Sequence, residues 1–253
     1  MTAPGSNVHA MPSRDRLTEA RGILAEAGRR DVVLRLMGGV GILARCPSAA
    51  RPPLAREYGD IDFFGRSRDS AALISVLTDL GYAPEPRFNA LHGHRRLLFK
   101  AAGGEHRDVL LDRFEMCHTL DLADRLELDA ETLPLADLLL TKLQVVQANA
   151  KDHTDALALL VDHRVGDDPE VIDAGYIARL CAADWGLFRT ITASCERVAA
   201  HADQLDLDER DAVRRRVAAL LSRVEQEPKT RRWKLRAKVG ERVRWYELPE
   251  EVG

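Results

Sequence analysis

Asp60 and Asp62 stand one residue apart in the stretch Tyr58-Gly59-Asp60-Ile61-Asp62-Phe63-Phe64. Residues 60–64 read as a strand, and strand side chains alternate between faces, so both carboxylates project from the same side. Two negative groups so placed repel each other unless a positive group sits between them. A divalent cation with oxygen ligands answers that need, and Mg²⁺ is the ordinary choice in a cell. About twenty residues upstream, Gly38-Gly39 closes an apolar run over 32–37. A glycine pair lets the backbone approach a phosphate closely. Together these residues point to metal-assisted chemistry on a nucleoside triphosphate.

Further charged residues extend the pattern. Asp108 and Asp112 lie four apart in Arg107-Asp108-Val109-Leu110-Leu111-Asp112. If one strand carries both, both face the same way. Asp108 follows a turn directly and is the better candidate for a third metal-site acid. Asp112 sits in a more apolar run, where its charge is costly without a partner. Lys142 lies in the apolar stretch Leu138-Leu139-Leu140-Thr141-Lys142-Leu143, either to reach a phosphate or to extend its head to solvent. Asp152 and Asp155 share a helix face three apart, and Asp155 interrupts an otherwise apolar run. Arg95 and Arg96 follow two histidines, His92 and His94, which lack further ligands at metal-site spacing. These arginines suit either a phosphate or a solvated hairpin edge. The C-terminal stretch 229–245 alternates eight Lys and Arg residues with Trp233 and Trp245. It suits RNA or a structural tail that docks its rings.

The elements that must hold these residues follow from periodicity. Residues 14–29 have an apolar helical stripe. A strand over 32–37 leads into the glycines, and a helix over 40–45 begins beside them. Prolines 47, 52 and 53 mark 46–58 as a loop. A helix over 70–80 stops at Gly81. Runs over 95–101 and 106–116, joined at Gly103-Gly104, form a hairpin. From residue 133 the pattern turns helical almost without a break, and 170–226 continue so. The fold class is therefore α+β: a small mixed sheet with helices over 1–130, loose over 1–13, then a helical domain over 131–253.

Bulk composition narrows the classes. A chain of 253 residues with 45% hydrophobic and 30% charged residues is an ordinary globular protein. A net charge of −3 gives no global nucleic-acid footprint, so any such surface is local. Four cysteines without CxxC spacing read as buried thiols of a reduced compartment. No apolar run reaches membrane-spanning length and the N-terminus has no signal core, which sets a cytoplasmic expectation.

In this order and context, Gly38-Gly39, Asp60-Ile61-Asp62 and the acidic strand Arg107-Asp108-Val109-Leu110-Leu111-Asp112 resemble the nucleotidyltransferase superfamily of the DNA polymerase β type. The segment 138–160, with Lys142 followed by Lys151-Asp152 and Asp155, looks like the AbiEii-like branch known from type IV toxin–antitoxin systems. The gap between glycines and first aspartate is longer than that family's usual ten or so residues, the excess being the Pro/Arg-rich loop. The resemblance implies that Asp60 and Asp62 bind Mg²⁺, two ions in all, and that Asp108 or Asp112 completes the site. It implies NTP substrate, ATP among the candidates, held by Gly38, Gly39, Lys142 and Asp155. It further implies transfer of an NMP group to tRNA, another RNA, a protein or a small molecule, and a cognate antitoxin if the chain is a toxin. A degenerate nucleotide- or partner-binding module is the alternative, and phosphoester hydrolysis is a second enzymatic one.

Overall fold

A computed structural model describes residues 13–248. The expected loose tail over 1–13 lies, but for Ser13, outside the described residues. Helix α1 (Ser13–Arg29) precedes β1 (Arg35–Met37) and α2 (Gly38–Arg45). Next come β2 (Ile61–Gly65), α3 (Ser70–Asp79), β3 (Ala83–Pro84), α4 (Pro86–His92), β4 (Arg96–Lys100) and β5 (His106–Leu111). A small hairpin, β6 (Arg113–Glu115) and β7 (Thr119–Asp121), leads to α5 (Leu135–Leu143) and α6 (Ala150–Asp162). The short pair β8 (Val165–Gly166) and β9 (Ile172–Asp173) precedes α7 (Ala174–Ala183), α8 (Trp185–His201), α9 (Leu207–Gln226) and α10 (Arg231–Val239).

The main sheet has five strands in the order β1-β2-β5-β4-β3. β2 and β5 run parallel at its centre, and the other pairings are antiparallel. Alternation along the central strands divides the side chains between two cores. Phe63, Val109, Leu97 and Phe99 pack with Ile23 of α1 and Leu73, Val76 and Leu77 of α3. Phe64 belongs to the other core, with Leu138 and Leu139 of α5, Leu157 of α6, Ile177 of α7 and Val217 of α9. Asp62 and Asp108 alternate with Phe63 and Val109, so they share the face turned toward the C-terminal helices. This second core runs across residue 130, since Met37, Ile42 and Phe64 pack in it with residues up to Val224.

Several elements depart from the sequence expectation. The first strand is shorter, beginning at Arg35, and α2 begins at Gly38 itself. β2 starts at Ile61, which leaves Asp60 ahead of the strand. β5 ends at Leu111, because Asp112 adopts a left-handed backbone with φ of 61°. Asp108 and Asp112 therefore do not share a strand face. The helical run after 133 breaks between α5 and α6. Asn149 caps α6 there, its side chain accepting from the amides of Lys151 and Asp152 while Asp152 reaches back to the Asn149 amide. Helix α4 is an element that the sequence reading left out.

Candidate active site

Parallel pairing of β2 with β5 puts Asp62 directly beside Asp108. Their contexts differ. Asp108 is buried, and Arg96 of β4 holds it: Nε lies 2.8 and 2.9 Å from its two oxygens, and a second guanidinium nitrogen also donates. Asp62 is partly buried, and its carboxylate makes no hydrogen bond or ion pair with any described residue. Burial, then the charge of Asp108, push its carboxyl up to about 6; Lys142 and Arg96 pull the other way. Asp60 is exposed, and its carboxylate accepts from the His106 amide at 3.2 Å.

The glycine pair fits tightly around these side chains. Gly38 has φ of +62°, a conformation that glycine adopts without strain. A Cβ there would lie 2.1 Å from Asp62 Oδ2. A Cβ on Gly39 would lie 2.2 Å from Arg56 Nη2 and 2.9 Å from the Tyr58 ring. The room the glycines leave is thus filled by an acid and a guanidinium of the protein itself, where the sequence suggested a phosphate.

A second charged cluster stands on the helical side. Lys142 on α5 is only 15% exposed in its side chain, so it does not extend freely to solvent. Its Nζ lies 2.9 Å from Asp155 and 3.2 Å from Asp152, both on α6. Burial works against the ammonium most strongly, yet the two carboxylates together hold its proton affinity above the ordinary lysine value. Asp155 is 1% exposed and also accepts two bonds from Arg56, each at 2.8 Å. The Arg56 guanidinium lies 4.0 Å from the centre of the Tyr58 ring. Asp155 therefore fixes two cations at once. Arg56 was not singled out in the sequence; its place in a Pro/Arg-rich loop hid it, although Tyr58 two residues on was a signal that the loop packs.

The remaining candidates fall elsewhere. Asp112 sits past the far end of β5, where it accepts from the Ser67 amide at 3.0 Å and shapes a turn. Its neighbours Arg113 and Arg95 pair with Asp121 and Glu115 instead. Trp233 packs edge-on against Phe188, and Trp245 against Trp185, so both rings of the basic segment dock on α8. The cysteines are all buried and free.

Does the donor set suit Mg²⁺? Among the described residues, no group of three acidic, histidine or cysteine side chains converges on one point. Mg²⁺, however, is held by one or two carboxylates plus substrate phosphates and water, not by closed protein cages. An all-oxygen pair, with one carboxylate left without an ion-pair partner and its proton affinity raised by burial and then by the other, fits that ion.

No family model and no curated protein matches the chain. Among solved structures, it is similar to the solution structure of the antibiotic-resistance factor ANT(2'')-Ia, with a TM-score of 0.41 and 16% identity over 68% of this chain and 96% of that one. That likeness is partial and assigns no family. No described helix is long and apolar enough to cross a membrane.

Proposed function

We propose that the chain is a Mg²⁺-dependent nucleotidyltransferase of the polymerase β type, and that it moves an NMP group from an NTP to an acceptor. One observation carries this reading. Asp62, without an ion-pair partner, stands in register with Asp108 on adjacent parallel strands, within reach of the charge of Lys142. Asp62 and Asp108 would hold the ion, with Asp60 at the rim. Bound there, Mg²⁺ supplies neutralisation of charge on the α-phosphate and on the leaving pyrophosphate. Lys142, steadied by Asp152 and Asp155, faces the triphosphate as a point charge, and Arg56 offers a second cation beside Gly39. The acceptor oxygen bonds to the α-phosphorus, the bond to the bridging oxygen breaks, and pyrophosphate leaves with that electron pair. The acceptor proton passes to solvent.

For the acceptor we favour RNA, in keeping with the AbiEii-like resemblance of 138–160. Arg231, Arg232, Lys234 and Lys238 are exposed on α10 and make no ion pair with any described residue, a surface that suits a phosphate backbone. A toxin role with a cognate antitoxin belongs to the same reading. The second reading is a nucleotide-binding module without turnover, which the engagement of Asp108 by Arg96 favours. Incubation with Mg²⁺, total cellular RNA and each α-³²P NTP tests the proposal. Label in RNA supports it; label in no acceptor of any class, with NTP still bound, leaves the binding module.

A further inference from the structure

Arg96 occupies the carboxylate that a cation at Asp62 would share. The arrangement is built. Arg96, Leu98 and Lys100 of β4 alternate with buried Leu97 and Phe99, so Arg96 lies on the site face of the sheet. Its guanidinium uses Nε and Nη2 on Asp108, while Nη1 makes no hydrogen bond with any described residue. Arg96 lies 5.5 Å from the centre of the Phe88 ring of α4, and its side chain is 40% exposed against 9% for Asp108. One partner thus lies buried in the floor of the site, and the other is partly exposed at its edge.

Charge balance makes this contact conditional. Asp62 and Asp108 carry two negative charges, and Arg96 neutralises one. A divalent ion would neutralise both, leaving the guanidinium beside a cation and without its carboxylate. A triphosphate brings the anionic oxygens that a fork of N–H donors prefers. We propose that Arg96 is an exchangeable counter-cation: it holds Asp108 in the ligand-free protein, competes with the metal, and transfers to the phosphates of the incoming nucleotide. Free metal is then disfavoured and metal arriving with nucleotide is favoured. This inference rests on the nucleotidyltransferase reading, and it adds an order of loading to it.

Mn²⁺ titration followed by electron paramagnetic resonance reads metal binding without any turnover. The proteins are wild type, Arg96→Gln and Asp62→Asn, each with and without a non-hydrolysable NTP analogue. The expected result has opposite signs. Arg96→Gln binds Mn²⁺ alone about tenfold more tightly than wild type, since a competing cation is gone, and binds the metal–nucleotide complex about tenfold more weakly. Arg96→Lys falls between, which separates a charge effect from loss of a packing group. If wild type binds Mn²⁺ through Asp62 but Arg96→Gln binds it equally or less well, the exchange is wrong and the metal site stands. If no protein binds Mn²⁺ in an Asp62-dependent way, with or without nucleotide, both fall.

Discussion

Arg107 and Asp108 are neighbours on β5 and point to opposite faces of the sheet. On the α1 face, Arg107 is 1% exposed and fully engaged. It donates to Glu19 at 2.7 Å and to the His106 carbonyl at 2.8 Å, and Glu19 also accepts from Tyr82 at 2.8 Å. Arg16, itself buried, closes the group by pairing with Glu105 at 2.8 Å. Burial, with Glu19 adding to it, pushes the Tyr82 phenol up to about 12, so Tyr82 stays neutral across the working range. On the other face, Asp108 shares its surroundings with a second carboxylate that has no partner. A buried charge held by opposite charges is a structural device, whereas crowded like charges removed from water are costly unless a ligand relieves them.

The largest effects test the open face. Asp62→Asn and Asp108→Asn should each lower nucleotidyl transfer by roughly a hundredfold or more, the scale of losing a group that stabilises transition-state charge, while circular dichroism stays unchanged. Arg107→Leu should do the reverse. It removes one partner of a buried pair and should cost about 3 kcal/mol in denaturant unfolding, with activity per folded molecule retained. If Arg107→Leu abolished turnover in a folded protein, the division between the two faces would be wrong.

The pH dependence sharpens the same contrast. Asp62 has an ordinary value of 3.8 and a folded value of about 6, so between those limits the folded state binds the extra proton. Stability from this group is therefore present below about pH 4 and is lost as pH rises toward 6 and beyond. The metal-free Asp62→Asn variant should gain roughly 2 kcal/mol over wild type at pH 7.5 and about a third of that at pH 4.5, discounting for partial solvent contact. Thermal melts at the two pH values check this, and equal differences at both would contradict the uncompensated charge.

A smaller effect concerns the cations. Lys142→Ala should weaken nucleotide binding about tenfold, seen as a reduced rise in melting temperature with NTP and Mg²⁺. Protection equal to wild type would confine Lys142 to bridging α5 and α6. Smallest of all is Asp112→Asn. Asparagine tolerates the left-handed backbone and keeps an acceptor for the Ser67 amide. Stability should stay within about 0.5 kcal/mol and turnover should not change; a turnover loss matching that of Asp108→Asn would return Asp112 to the site.

The reach of the sequence follows the range of the forces involved. The central hairpin at Gly103-Gly104 and the helix stopped near Gly81 were legible because alternation and turn residues are local signals. Asp62 beside Asp108 was partly legible: the residue types pointed to it, but their register depends on pairing strands more than forty residues apart. Asp112 misled because a strand pattern continues through its left-handed kink, which depends on the Ser67 amide from another segment. The strand placement of Asp60 failed in the same way, since β2 begins one residue later and the His106 amide donates to its carboxylate. The pairing of Arg56 was not legible, although Tyr58 hinted that its loop packs. Its partner Asp155 lies 99 residues on, and only the fold brings them together. The break before α6 did carry a local signal, the Asn149 to Asp152 capping pair, within an otherwise helical stretch.

The central claim is that the Asp62–Asp108 pair serves transfer of a nucleotidyl group. The most direct measurement compares NTP labelled at the α-phosphorus with NTP labelled at the γ-phosphorus, using wild type, Asp62→Asn and Asp108→Asn with Mg²⁺ and RNA. The account predicts that α-label enters an acid-stable product with wild type alone, and that γ-label leaves only as pyrophosphate. Transfer of γ-label to the product, or undiminished α-label transfer by both variants, would contradict it.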